Sequence, residues 1–334
     1  MECKIKRGKV FMNPKIDILL AAYNGEKYLK EQIDSILNQT YTNFNLIISD
    51  DCSTDDTANI LKEYEKSDSR ITVLYQKKNL GFIKNFEFLL RQSVSDYFML
   101  SDQDDVWKNN KIETSLNWLN KKKAVLVYSD VKVVDEKMQV INDSLLKSIH
   151  IYNNLKKEDN SKILMLENPA TGSTILGKKE IISKCFPIPE ELPMVHDWWI
   201  ALMASMQGKI CFIDDTLLMY RQHNNNIIGL KHVNENADYI ELRNKRIEYY
   251  TNLVQIYKQN IDRFSPALKK RILICEKYFN NVRNNRSRIS CYINAFKVFG
   301  GFGFASKIKK MIFFGNAKLS LKIYNKNLKI NTNR

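Results

Sequence analysis

What most constrains the fold of this chain is an alternation that starts near its N-terminus. Short apolar runs are followed by stretches with helical spacing, and the runs end in polar residues. The first run, Ile16-Asp17-Ile18-Leu19-Leu20-Ala21-Ala22-Tyr23, stops at Asn24-Gly25. A helix is predicted over 26–38, with Leu29, Ile33, Ile36 and Leu37 on one face. The second run, 44–48, ends in Ser49-Asp50-Asp51-Cys52-Ser53 and leads to a helix over about 56–66. The third, 71–75, opens into a loop with Asn79 and Gly81, followed by a helix over about 82–93. The fourth, 96–100, runs straight into Ser101-Asp102-Gln103-Asp104-Asp105-Val106-Trp107. This pattern predicts an α/β, doubly wound sheet. Such sheets bind ligands beyond the carboxyl ends of their strands. Right-handed crossovers place those ends along one edge, so three separate polar clusters should converge on one crevice.

Beyond residue 110 the pattern loosens. A helix is expected over 109–120 and a strand over 124–128. A mobile polar loop is expected over 142–160, and a turn-rich segment over 168–174 leads to Ile175-Leu176. A helix should open near Pro193-Met194-Val195-His196-Asp197-Trp198-Trp199 and end near 207. Strands over 210–213 and 216–220 should precede Arg221-Gln222-His223, and from about 235 the composition is helical and basic. Residues 262–334 hold 17 basic residues and two acids, a net +15 that equals the excess of the whole chain. A neutral body with a basic tail suits contact with an anionic surface. No apolar run approaches the ~20 residues of a membrane span. The six cysteines form no CxxC pair, which favours a reducing cytoplasm over a disulfide or zinc framework. The expected division is an N-terminal extension over 1–12, a catalytic domain over 13–230 and a basic helical region over 231–334.

Asp102, Asp104 and Asp105 put carboxylates within four residues at a strand end. Hard oxygen ligands of this kind suit Mg²⁺ or Mn²⁺, which can bridge the phosphates of a nucleoside diphosphate. A solvated acidic turn is the plainer reading of such a run. Asp51 suits either hydrogen bonding to a base or ribose, or an Asx turn. Asp197 suits a helix N-cap or a general base, and Trp198 and Trp199 beside it suit an apolar wall for a sugar. His223 suits a metal ligand, and either it or Arg221 suits a diphosphate contact.

Taken in order, Leu20-Ala21-Ala22-Tyr23-Asn24-Gly25, Ser49-Asp50-Asp51-Cys52-Ser53, Asn79-x-Gly81, Asp102-Gln103-Asp104-Asp105 and His196-Asp197-Trp198-Trp199 resemble the family 2 inverting glycosyltransferases of GT-A fold, over about residues 14–225. With Tyr220-Arg221-Gln222-His223, the later motifs resemble the bacterial rhamnosyltransferase-type branch, which builds cell-surface polysaccharide. The resemblance implies a GT-A type mixed sheet with a basic, mainly helical C-terminal extension. It implies nucleotide-sugar contacts from Ala22, Tyr23, Asn24, Asp51, Asn79, Gly81, Asp102, Asp104 and Arg221. Asp102, Asp104 and His223 would hold Mg²⁺ or Mn²⁺, and His196, Trp198 and Trp199 would meet the acceptor. Asp197 matches the base, with His196 in place of the usual first acid. Cys52 stands where the family's turn carries glycine.

The implied reaction is a single displacement with inversion. The donor would be dTDP-rhamnose, or alternatively a UDP-sugar, and the acceptor a glycan or lipid-linked hydroxyl. Nucleic acid is not expected as a partner. The enzyme would be cytoplasmic, held at the inner face of the membrane by Lys307, Lys309 and Lys310 on a helix over 304–314; the alternative is that this helix packs on the catalytic domain with its basic face in solvent. Two rivals are a nucleotidyltransferase, which more often shows a Gly-rich basic phosphate loop, and a non-catalytic nucleotide-sugar binder, which has little use for Asp197.

Overall fold

The computed structural model describes residues 13–149, 151–155, 161–191, 193–224, 226, 239–284 and 297–299. The N-terminal extension and the basic segment over 304–314 therefore lie outside the described residues. Strands β1 (Ile16–Ala22), β2 (Phe44–Asp50), β3 (Ile71–Tyr75) and β4 (Tyr97–Ser101) are parallel, in the spatial order β3-β2-β1-β4. Between them run helices α1 (Leu29–Leu37), α2 (Thr57–Ser67) and α3 (Phe82–Gln92). In register, Ala22 lies beside Asp50, Asp50 beside Tyr75, and Leu20 beside Ser101. The polar sequence after each strand thus emerges along one edge.

The rest of the sheet is mixed. It is built from β5 (Val106–Trp107), β6 (Leu126–Val134), β7 (Val140–Asn142), β8 (Leu176–Lys178) and β9 (Ile210–Arg221). Strand β8 is antiparallel to both β4 and β6, and β9 is parallel to β6. β5 pairs antiparallel with β9 through Val106–Met219 and Trp107–Leu218, which draws the acidic loop against the end of β9. Helix α4 (Lys111–Lys122) follows β5, and α5 (His196–Ser205) precedes β9.

Residues 210–221 form one strand rather than two. Ser129 pairs with Ile213 and Asp130 with Thr216, so exposed Asp214 and Asp215 bulge out of a continuous ladder. The segment 142–160, expected as a mobile loop, is packed where it is described. Leu146, Ile151 and Leu155 are buried in the core, and short helices run over Leu145–Ser148 and Tyr152–Leu155.

Side chains of β1 alternate between two cores. Leu19 joins one, while Ile16, Ile18 and Leu20 join the other. The first core also takes helix α5 and residues of two further helices, α6 (Tyr239–Gln259) and α7 (Pro266–Arg283). Ile247, Tyr250, Leu253, Tyr257, Ile272 and Phe279 are buried there. The described part of the C-terminal region is therefore packed on the sheet domain. No described helix is long and apolar enough to cross a membrane.

Asp17, inside β1, shows how this fold treats a purely structural carboxylate. Burial would raise its pKa, but bonds from the Val94 and Ser95 backbone, the Ser93 and Ser95 hydroxyls and Asn45 outweigh that and hold it below the ordinary value.

Candidate active site

Three loops meet at the strand ends through specific bonds. Gln103, between the two acids of the Asp-x-Asp run, accepts from Tyr23 N at 2.7 Å and donates to Tyr23 O at 2.9 Å. Asn24, with φ of 48°, accepts from Thr54 N, and its own N–H donates to Ser53 Oγ. Asp50 caps its turn by accepting from the Ser53 hydroxyl and N–H. Asp51, 2% exposed, accepts from Leu80 N at 2.7 Å and Gly81 N at 2.9 Å. Gly81 sits at φ 80°, where a side chain would be strained. Exposed Asn79 donates to Asp51 O, and Tyr23 is 46% exposed. Buried Ala22 contributes its carbonyl, which accepts from Asp51 N. Cys52 adopts φ 67°, so the backbone keeps the left-handed turn that glycine would take without strain.

The acidic loop is divided by burial. Asp105 is fully buried, accepts from the Ser173 hydroxyl at 2.6 Å and from Arg221 N, and its carboxyl is pushed well above the ordinary range by burial and by Asp104 and Asp102. Lys111 is also fully buried, with its Nζ 3.3 Å from the centre of the Trp107 ring, and burial holds its pKa well below normal. Asp102, just beyond the end of β4, is raised to about 7 by burial and by the charges of Asp104 and Asp197. Neighbouring carboxylates of this kind favour a bound cation.

Asp104 Oδ2 lies 2.9 Å from Nε2 of His223, and both side chains are largely shielded from solvent. Adjacent ligands of an octahedral cation bound at ~2.1 Å stand about 3 Å apart, so this pair fits two positions on one Mg²⁺ or Mn²⁺. Among the described residues, no group of three His, Cys, Asp or Glu closes into a metal cage.

Arg221 does not present its guanidinium to a diphosphate. It is 2% exposed, lies over the Tyr28 ring, and donates to Asp104 O, Glu136 O and the Glu31 carboxylate. It braces the acidic loop from behind.

Asp197 lies in the first turn of α5, whose N-cap is Val195, so it is not the cap. Its carboxylate, 8% exposed, accepts from Asn168 Nδ2 at 2.9 Å, Gly172 N at 2.8 Å and Trp198 N at 2.5 Å. Burial outweighs these bonds and pushes it up to about 6. A side chain at residue 172 would place its first carbon 3.2 Å from His196 Nε2 and 3.5 Å from Asp197 Oδ2, so any larger residue would crowd the His196 ring by a few tenths of an ångström. Ser173, next in sequence, ties this segment to Asp105.

The acceptor wall expected from Trp198 and Trp199 is not where the sequence suggested. Nine successive residues of α5, His196 to Ala204, are buried. A helix buried all round directs its tryptophans into the core. Trp198 Nε1 donates to Leu164 O and Trp199 Nε1 to Cys185 O. His196 is stacked on Phe86 at 3.9 Å, and burial pushes its imidazole down to about 3. Its ring nitrogens are buried without a hydrogen-bond partner among the described residues.

Asp51 and the acidic loop lie at one edge of the parallel strands, with the buried Asp197 within electrostatic reach of Asp102, on a sheet of GT-A type. The chain belongs to glycosyl transferase family 2, whose sequence profile matches residues 17–186. An uncharacterized glycosyltransferase of Haemophilus influenzae is 30% identical over 252 residues, spanning 73% of this chain and 76% of its own length. The dTDP-rhamnosyl transferase RfbG of Shigella flexneri is 30% identical over 244 residues, 69% of this chain and 80% of that one. Among solved structures, S. aureus TarS 1-349 in complex with UDP-GlcNAc superimposes with a TM-score of 0.55 at 17% identity, covering 93% of this chain and 89% of that one. The mannosyltransferase PcManGT of Pyrobaculum calidifontis, in complex with GDP-Man and Mn²⁺, gives 0.56 at 17% identity, covering 96% and 84%.

Proposed function

We propose that this chain is an inverting, metal-dependent glycosyltransferase that moves a sugar from a nucleoside-diphosphate donor to a hydroxyl of a glycan or lipid-linked acceptor, in the synthesis of cell-surface polysaccharide. The observation that carries this reading is Asp197, a buried carboxylate held by three N–H donors and raised to about 6, within electrostatic reach of Asp102. A base poised in this range is ionised near neutrality yet basic enough to take a proton. Asp197 removes the proton of the acceptor hydroxyl. The freed oxygen forms its bond to the anomeric carbon as the bond to the diphosphate breaks on the opposite face. Asp51 and Tyr23 hold the nucleotide base. Asp104 and His223, with Asp102 beside them, would hold Mg²⁺ or Mn²⁺, whose charge offsets that of the departing diphosphate.

dTDP-rhamnose is the favoured donor, supported by the RfbG relative, with UDP-sugars as the alternative. The enzyme works in the cytoplasm, and its basic tail holds it at the inner face of the membrane. The test is a transfer and hydrolysis assay against dTDP-rhamnose, UDP-GlcNAc and GDP-mannose with Mg²⁺ or Mn²⁺. Release of nucleoside diphosphate from one donor is expected. Release of pyrophosphate from sugar phosphate and nucleoside triphosphate instead would mark a nucleotidyltransferase.

A further inference from the structure

The segment that holds Asp197 is itself held from the C-terminal helices. Over 164–173 the chain is tied at nearly every residue that can be tied. Leu164 O accepts from Trp198 Nε1 and Met165 O from Tyr257 at 3.0 Å. The Glu167 carboxylate accepts from the Tyr250 hydroxyl at 2.7 Å and, more loosely, from Arg246 at 3.3 Å. The next residue, Asn168, donates to Asp197 Oδ1, and its own Oδ1 accepts from Ala170 N. Gly172 N then meets Asp197 Oδ2, and the Ser173 hydroxyl meets Asp105.

Arg246, Tyr250 and Tyr257 lie four and seven residues apart on α6, which puts them on one helical face. Tyr250 is fully buried, its ring stacked on Phe279 of α7 at 4.9 Å. Arg246 is 45% exposed in its side chain, so its pair with Glu167 is the weaker tie. A buried hydroxyl aimed at a carboxylate one residue from the ligand of the base leaves that segment little freedom to shift.

We propose that helix α6 belongs to the positioning apparatus of the base: Tyr250, acting through Glu167, fixes Asn168 and hence the orientation of the Asp197 carboxylate. This rests on Asp197 being the base. Tyr250 touches neither substrate nor the reacting atoms and is a positioning residue. The C-terminal region then has a part in the chemistry of the sheet domain that is separate from any attachment by its basic tail.

Tyr250→Phe in the full chain removes one hydroxyl and keeps the stacked ring. With the donor selected by the panel above, kcat should fall between about 2- and 30-fold. The donor KM should stay unchanged. The acidic limb of the rate profile should move to higher pH, because a looser Asn168 stabilises the charged carboxylate less. The titratable groups around that carboxylate are Asp102 of the acidic loop, Tyr220 of β9 and His196 of its own helix, and none of them changes in this variant. Asn168→Ala should shift the limb the same way and further. The double variant should be no slower than Asn168→Ala alone, since the two residues act in series. Additive losses would overturn the proposal. So would a Tyr250→Phe enzyme with wild-type kcat and limb, or one that loses thermal stability and rate with the limb unmoved. If Asp197→Asn keeps wild-type turnover, the base assignment itself falls. If that variant is inactive while Tyr250→Phe is silent, only the role of α6 falls.

Discussion

Replacing Asp197 by Asn keeps the shape of the side chain and removes its charge. The wild-type carboxyl is nearly buried and raised from 3.8 to about 6. The folded protein therefore holds this proton more tightly than the unfolded chain does. Stability from the group is fully present below 3.8 and is lost as pH rises through about 6. The full loss is ~3 kcal/mol, of which about half falls between pH 5 and pH 8. Asn does not titrate. The stability of the variant relative to wild type should therefore rise by roughly 1–2 kcal/mol across that interval. The absolute difference also contains the cost of turning an amide N–H₂ toward one of the three donors now bound by the carboxylate. Urea denaturation of both proteins at pH 5 and pH 8 in EDTA measures the difference. In turnover, the wild-type rate should rise tenfold per pH unit below about 6 and level off above it. The variant should lose this limb and fall ~10²–10⁴-fold in rate. A stability gap that does not change with pH, or near-normal turnover of the variant, would refute the reasoning.

Asp104→Ala should weaken Mn²⁺-dependent binding of a nucleoside diphosphate by about 100-fold or more, read by calorimetry, while circular dichroism stays unchanged. Cys52→Gly should raise stability by about 1 kcal/mol, because it relieves a left-handed residue; unchanged or lower stability in urea would show that the turn holds no strain. Reversing Lys307, Lys309 and Lys310 to Glu should reduce co-sedimentation with anionic liposomes and leave the already weak binding to neutral ones unaltered; equal binding by both proteins would dissociate the tail from the membrane.

The converging strand ends were legible because apolar runs and the residues that stop them are local features. Ala22, Asp51 and Asp102 sit at strand ends or just beyond them whatever the rest of the chain does. What a side chain faces is a tertiary property, and there the sequence misled. Asp197-Trp198-Trp199 reads the same whether the rings line a crevice or a core, and only the packing of α6, α7 and the 164–168 segment decides for the core. Arg221 is likewise a phosphate ligand by composition and a brace by position. Gln103 gave no signal, since its purpose depends on the backbone of Tyr23, 80 residues away. Asn168, Gly172 and Ser173 lay in a stretch read only as turn-rich, which gave them no roles. In 142–160, Leu146, Ile151 and Leu155 were too irregularly spaced among polar neighbours to announce a packed segment.

The central claim is that Asp197 activates the acceptor for a single displacement, and the anomeric configuration of the product tests it most directly. Proton NMR of the glycoside formed from a donor of defined configuration should show the opposite anomer as the first product. Retention of the donor configuration would require two displacements and a nucleophile on the enzyme, and would contradict the account.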